Sequence, residues 1–237
     1  MNIALLGYGR MGKTIEQIAL QRGHKIVLKV DENTHEYDIR IADCAIDFSI
    51  PTVAYSNISN CLLNKIPVVS GTTGWLNQYI DATNLCKVEQ GAFIYASNFS
   101  VGVNIFFELN AYLAKMMKNL NSYNVSIEEI HHVNKLDAPS GTAITLAEGV
   151  IANNAAKSWA LDVTKNENEI PITSKRIPDV PGTHTVDYYS EVDSISIKHV
   201  AHNRNGFALG AVLAAEWLVG KKGIYTMKDV LGINKNL

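Results

Sequence analysis

Ile3-Ala4-Leu5-Leu6-Gly7-Tyr8-Gly9-Arg10-Met11-Gly12 decides the fold. Ile3 to Leu6 is a short apolar run of the kind that forms a parallel strand buried on both faces. It enters a glycine turn, and the pattern then predicts a helix from Lys13 to about Arg22, closed by Gly23. Lys25 to Val30 follows as a second strand, ending at Asp31, 19 residues after Gly12. A lone GxGxxG is weak evidence and fits a glycine-rich turn in many α/β proteins. Set between a strand and a helix, with an acid closing the next strand, it is the signature of dinucleotide binding. The glycines let the backbone approach a pyrophosphate, the helix start supplies N–H groups, and a carboxylate accepts from a ribose diol.

Further α/β units follow. Cys44 to Phe48 reads as a strand, Pro51 to about Asn64 as a helix, and Ile66 to Val69 as a strand closed by Ser70-Gly71-Thr72-Thr73-Gly74. Ala92 to Tyr95 is one more strand, ending in Ala96-Ser97-Asn98-Phe99-Ser100. In an open parallel sheet the ligand crevice lies at the carboxyl ends of the strands, which places these loops beside the cofactor. Simple turn chemistry is the competing reading.

Beyond Val101 the texture changes. Val103, Phe106, Phe107, Leu109, Leu113, Met116, Met117 and Leu120 recur at helical spacing, so one long amphipathic helix is expected, its methionines and aromatics in the core. Asn124 to Ile130, Thr183 to Tyr189 and Ser194 to Val200 are β-rich, with Ile195 and Ile197 on one face of the last. Thr164 to Pro181 is polar, carries three prolines and reads as a loop. Gly206 to Leu218 has the composition of a buried helix, expected to pack back on the first domain. The predicted architecture is therefore α/β. A Rossmann-type parallel-sheet dinucleotide-binding domain (1–100 and 205–237) carries an inserted α+β domain (101–204) for substrate binding and oligomerisation. Open sheet edges in the inserted domain favour pairing between protomers.

Glu129-Ile130-His131-His132-Val133-Asn134-Lys135-Leu136-Asp137-Ala138-Pro139-Ser140-Gly141-Thr142-Ala143 is the most informative stretch for chemistry. Pro139 disfavours helix at Ala138, and Ser140-Gly141-Thr142 leads into a helix-forming segment. The N–H groups at that start should face an anion; with Lys135 and His132 nearby, a carboxylate or phosphate fits. His131 or Lys135 can move a proton. A turn needs only the Pro-Ser-Gly and has no use for two histidines and a lysine beside it. Adjacent histidines lack the i, i+4 spacing of a helical zinc pair, and the cysteines are distant, so no metal is expected.

Composition narrows the partners. The chain has 237 residues, 47% of them hydrophobic, and a net charge of -2, which gives no general attraction to nucleic acid or anionic membranes. No apolar run approaches membrane-spanning length, and the amino terminus lacks the pattern of a signal peptide. Cys44, Cys61 and Cys86 are odd in number without CxxC spacing, which suits a reducing compartment. A cytoplasmic protein acting on a small molecule is expected.

Together these motifs resemble the 4-hydroxy-tetrahydrodipicolinate reductase family, also called dihydrodipicolinate reductase. The likeness rests on the first glycine motif, Ser70 to Gly74, Asn98 to Asn104 and, above all, Glu129 to Ala143. Gly182-Thr183-His184 and the segment Gly223 to Leu231 extend it across essentially the whole chain. The resemblance implies a homotetramer, reduction by NADH or NADPH, and a place on the diaminopimelate route to lysine. It assigns His131 as the acid/base residue and Lys135 as a proton donor, with His132, Gly141 and Thr142 holding a dicarboxylate. Gly7, Tyr8, Gly9, Arg10, Met11, Gly12, Asp31, Gly71, Thr72, Thr73, Ala96, Ser97, Asn98 and Phe99 fall on cofactor-binding positions.

Val30-Asp31-Glu32-Asn33-Thr34 departs from those family members that place an arginine beside the acid. Two carboxylates should repel a 2′-phosphate, so NADH is expected to be preferred, with Lys13 or His35 as partial offsets. His199 and Arg204 are further candidates with equally good structural roles. The rivals are an aldehyde-reducing dehydrogenase on the same two-domain plan, which has no evident need for the histidine-lysine segment, and a dinucleotide-sensing regulator without catalysis.

Overall fold

The structure is a computed structural model and describes residues 1–34, 36–154, 156–164, 166 and 168–233. From the amino terminus run β1 (Asn2–Leu6), α1 (Arg10–Gln21), β2 (Lys25–Val30), β3 (Cys44–Asp47), α2 (Pro51–Leu63), β4 (Val68–Ser70), α3 (Tyr79–Val88) and β5 (Ala92–Tyr95). Next come α4 (Val101–Met117), β6 (Asn124–His131), α5 (Gly141–Ile151), β7 (Ser158–Leu161), β8 (Glu169–Arg176), β9 (Gly182–Tyr189) and β10 (Ser194–Ala201). The chain closes with α6 (Asn205–Leu218), β11 (Gly223–Tyr225) and α7 (Met227–Val230). Contacts group these into two units: Met1 to Val101 with the described residues from Arg204 onward, and Gly102 to Asn203.

The first unit is an α/β fold of Rossmann type. Its sheet has the order β11-β5-β4-β3-β1-β2 among the described residues, and all the pairings are parallel. Such strands must be apolar on both faces, and they are. Ile3, Leu5, Ile46, Val69 and Ile94 pack with α1 and α6 on one side, while Ala4, Leu6, Ala45, Val68 and Phe93 pack with α2 and α3 on the other. Burying one such large aliphatic or aromatic side chain contributes about 1.5–3 kcal/mol.

Three details differ from the sequence reading. Helix α1 begins at Arg10 rather than Lys13, because Gly9 is already its N-cap and Gly12 lies inside the helix. Helix α3 fills a segment with no clear period: Ile80 and Val88 are exposed, so the apolar positions do not keep to one face. Strand β11 is only three residues long, too short to carry an alternation, and becomes a strand by pairing with β5.

In the second unit α4 and α5 pack on a mixed sheet of order β10-β9-β6-β8-β7 around Phe106, Leu113, Leu146, Val150, Ile172 and Val186. The loop expected over Thr164 to Pro181 is a correction, because Glu169 to Arg176 forms β8, parallel to both β6 and β7. Ile170 and Ile172 supply its buried face. Pro171 lies opposite Ala160 of the short strand β7 and precedes the first β6–β8 partner pair, Ile127↔Ile172. Lys165 and Glu167 of that segment lie outside the described residues. The expected buried face of β10 holds at Ile197, which packs against the core of this unit, and is corrected at Ile195, which is 41% exposed on an edge strand.

Candidate functional site

The first unit gathers three of the sequence-read loops around Phe48. Gly7 has φ +98, and a Cβ there would lie 2.2 Å from the Phe48 carbonyl oxygen, so only glycine fits. A Cβ at Gly71 would strike the Phe48 ring at 2.3 Å, and that ring lies 5.8 Å from Phe99. Gly9 differs in kind. It caps α1 with no side-chain hydrogen bond, and no atom lies within 4 Å of where its Cβ would be. A bare helix start beside open space fits a pyrophosphate, and these residues suit a dinucleotide.

The side chains qualify the sequence assignments. Tyr8 donates to Glu16 and accepts from Lys29 at 3.1 Å, and Lys29 pairs with Glu16 at 2.6 Å. Lys29 and then Tyr8 hold the Glu16 carboxyl below its ordinary value. Asp31 Oδ1 accepts from Asn33 N–H at 3.0 Å and Thr34 Oγ1 at 2.9 Å, shaping the turn after β2. Thr72 donates to Asp47 at 2.8 Å and accepts from Ser49 N–H at 2.9 Å, so its hydroxyl is committed internally. Ala96 N–H bonds Ser70 O at 3.2 Å, Asn98 Oδ1 accepts from Ser100 N–H at 2.9 Å, and Phe99 is buried in the core. Arg10 is exposed, Met11 packs against the core, and Ser97 and Thr73 are exposed in their loops. His35 lies outside the described residues.

Asp47, which the sequence reading passed over, organises this end of the sheet. It is fully buried and accepts from Ser49 Oγ (2.6 Å), Asn57 Nδ2 (3.0 Å), Ser70 Oγ (2.8 Å) and Thr72 Oγ1 (2.8 Å). Burial pushes its carboxyl above the ordinary value, and the four neutral donors only partly oppose that.

The second unit assembles its site from strand register. Glu129 and His131 lie two apart on β6 and share a face; Glu129 is paired with His184 on β9 and with Ser174 on β8, and His131 with Arg176. Glu129 has no exposed surface. Its Oε1 accepts from both Arg176 Nη1 and Nη2 at 3.2 Å and from Ser140 N–H at 3.2 Å, while Oε2 lies 2.6 Å from His131 Nδ1. Burial works to raise the Glu129 carboxyl, and the contacts from His131 and Ser140 reverse this, holding it well below the usual carboxylate range.

Arg176 also donates to the carbonyls of Lys135 (3.2 Å) and Asp137 (2.6 Å), fastening the 132–139 loop to the sheet. Lys135 pairs with Asp137 at 2.8 Å, and its N–H closes a turn onto His132 O at 3.1 Å. Ser140 caps α5, accepting from Ala143 N–H at 3.2 Å, and its Oγ lies 3.1 Å from His184 Nε2. Gly141 and Thr142 form the first turn of α5, and Gly141 faces open space. His131, His132, Lys135, Gly141 and Thr142 thus come together in one unit. His199 stacks 6.2 Å from Phe106 in the same unit, and Arg204 precedes α6 in the other.

Sequence reasoning missed Glu129, Arg176 and His184 as partners. The two-residue spacing of Glu129 and His131 was a usable signal once that segment was read as a strand. Arg176 lay in a presumed loop and offered none. Glu129, His131 and His184 each place one ligand atom within 4.8 Å of the others. The guanidinium already against Glu129 balances its charge, so this grouping does not require a cation.

Against this geometry stand the comparisons with known proteins. The family model "Dihydrodipicolinate reductase, N-terminus" matches residues 1–99, and "Dihydrodipicolinate reductase, C-terminus" matches residues 102–231. The chain belongs to the dihydrodipicolinate reductase family. It is 60% identical over 234 residues to the 4-hydroxy-tetrahydrodipicolinate reductase of Christiangramia forsetii, covering 98% of each chain. It is 36% identical over 198 residues to the enzyme of the same name from Methanoregula boonei, covering 81% of this chain and 76% of that one. In fold it is similar to a dipicolinate-bound dihydrodipicolinate reductase from Paenisporosarcina sp. TG-14. That likeness has a TM-score of 0.78 at 21% identity, over 95% of this chain and 97% of that one. Membership in a reductase family makes the chain an oxidoreductase. No helix among the described residues is long and apolar enough to cross a membrane.

His184 generates a pH prediction. Burial, and then the neighbouring His131 charge, push its imidazole down from 6.5 to about 3, with Glu129 opposing. The folded chain therefore keeps His184 neutral where the unfolded chain protonates it, so stability falls as pH drops below 6.5. Between pH 6.5 and about 4.5, above the ordinary carboxylate range, His184→Gln should flatten the slope of unfolding free energy against pH. The effect is on the order of a few kcal/mol. Urea titrations at several pH values check this; parallel slopes for variant and parent would contradict it.

Proposed function

We propose that this chain reduces 4-hydroxy-tetrahydrodipicolinate, by way of dihydrodipicolinate, to tetrahydrodipicolinate with NAD(P)H, in lysine biosynthesis through diaminopimelate. The observation that carries the reading is 60% identity, across nearly the full length, to a relative of that name. The assembly of His131, His132, Lys135 and the α5 start around buried Glu129 supports it.

The first unit is the dinucleotide-binding domain, with the Gly7 to Gly12 turn and the α1 start against the pyrophosphate. Reduced nicotinamide, when bound, supplies hydride to C4 of the conjugated ring. The N–H groups of Gly141 and Thr142, at the positive end of α5, hold a ring carboxylate with His132 beside them. Carbon C3 then needs a proton, which His131 in its imidazolium form delivers from Nε2, leaving the neutral ring. Lys135, steadied by Asp137, stabilises the developing negative charge and is the second proton source. The exposed edge strand β10, with Ile195 and Val200 on its surface, supports a homotetramer built through the sheets of the second unit.

NADH is the better donor in this reading. Asp31 and Glu32 carry negative charge at the end of β2, and the nearby Lys29 ammonium is already paired with Glu16. A 2′-phosphate therefore meets repulsion from two carboxylates, with Lys13, 6.0 Å from the Tyr8 ring, as a partial offset.

Freshly prepared substrate mixed with the protein and NADH should consume nicotinamide absorbance while an aldehyde control does not. Turnover of the aldehyde alone would favour the dehydrogenase reading. His131→Gln should lower kcat about 10²- to 10⁴-fold at saturating substrate; near-full turnover would remove His131 from the acid/base role. The ratio of kcat/KM should favour NADH, and a clear NADPH preference would contradict the charge argument.

A further inference from the structure

We propose that Glu129 is a positioning residue that fixes which nitrogen of His131 carries the exchangeable proton and, through the same carboxylate, anchors the start of α5. The inference rests on the acid/base reading of His131 and adds a residue that does not itself touch substrate.

The two Glu129 oxygens have different duties. Oε1 is occupied by the Arg176 guanidinium and the Ser140 N–H, each at 3.2 Å. Oε2 lies 2.6 Å from His131 Nδ1, and the next cation-forming group, His184 Nε2, is 3.9 Å away. The ring N–H direction is off the line to the oxygen, so Oε2 and Nδ1 do not form an aligned hydrogen bond, and both atoms are buried; Ser174 of β8 lies against the same carboxylate. A buried carboxylate oxygen and an unprotonated ring nitrogen 2.6 Å apart would be two acceptors in contact without a donor, so one of them carries a proton. Glu129 is an ionised carboxylate beside a guanidinium, and the proton therefore belongs to Nδ1. A small ring rotation aligns the bond.

Neutral His131 is thus the Nδ1–H tautomer, and its lone pair is on Nε2. That nitrogen borders Gly182, where a Cβ would approach it to 3.1 Å, so glycine keeps this end of the ring uncrowded. Proton exchange happens at Nε2, while Nδ1–H is held. Ser140 is the N-cap of α5, so its N–H on Oε1 ties the proposed carboxylate cradle to the same anchor. Arg176 and Ser174 from β8, Ser140 from the α5 start, His131 from β6 and His184 from β9 are groups that face Glu129.

Glu129→Gln tests this in the full-length protein. The amide keeps the shape and can still accept from Arg176 and Ser140 through its oxygen, but its NH2 must then donate to His131 Nδ1 and forces the opposite tautomer. We expect kcat to fall about 10²- to 10⁴-fold, with KM for the dicarboxylate changed by less than about threefold. Imidazole ¹⁵N spectra supply the readout that a purely structural ion pair would not move. With His131 assigned by loss of its signals in His131→Gln, neutral His131 should be protonated at Nδ1 in the parent and at Nε2 in Glu129→Gln. A folded Glu129→Gln with unchanged kcat, or a parent ring protonated at Nε2, overturns the proposal. If Glu129→Gln does not fold, the parent spectrum alone decides. If His131→Gln retains turnover, it is the acid/base reading that fails, while the spectrum still reports on the Glu129 contact.

Discussion

A carboxylate without access to water has to be met by donors that the backbone holds in place, and each unit of this chain contains one: Asp47 in the first and Glu129 in the second. Leaving such a group unanswered costs several kcal/mol, so the loops that answer it are not free to wander. In both units these are the loops that bear the candidate site residues. Ser49, Ser70 and Thr72 are tied to Asp47, and Ser140 and the 132–139 segment are tied through Glu129 and Arg176.

The two carboxylates are handled in opposite ways, and the difference suits their surroundings. Asp47 has only neutral donors, so burial dominates and its carboxyl is pushed up. A ring of hydroxyls and one amide serves as a rigid spacer there, leaving the backbone of the glycine turn and α1 as the features that suit a phosphate. Glu129 has a guanidinium and an imidazole, and it stays ionised. That charge is what a neighbouring proton-transfer residue needs, since it settles the tautomer without reaching the substrate.

Much of the fold was legible because its signals are local. The Ile3 to Asp31 segment carries strand, turn, helix and acid within one window, and α4 shows its period, with Val103, Phe106, Leu113 and Met117 buried but Leu109 and Met116 of the expected core face exposed. What was illegible depends on partners distant in sequence. Glu169 to Arg176 is a strand because β6 and β7 flank it, and Pro171 within it, with Pro178 and Pro181 just after it, masked the alternation of Ile170 and Ile172. The site divided along the same line. His131, Lys135 and the α5 start sit in one short stretch and could be read together. Arg176 and His184 join them only through sheet register, and the internal bonding of Thr72 and the burial of Phe99 come from packing that a motif does not record.

The central claim is that the glycine turn and α1 hold a dinucleotide, while the α5 start, His131 and Lys135 hold a dicarboxylate for reduction. A crystal structure of the full chain with NADH and pyridine-2,6-dicarboxylate tests it most directly. The account predicts a carboxylate on the Gly141 and Thr142 N–H groups, the ring beside His131 Nε2, and the nicotinamide in van der Waals contact with that ring. A dicarboxylate bound away from α5, or a nicotinamide that never reaches it, would contradict the account.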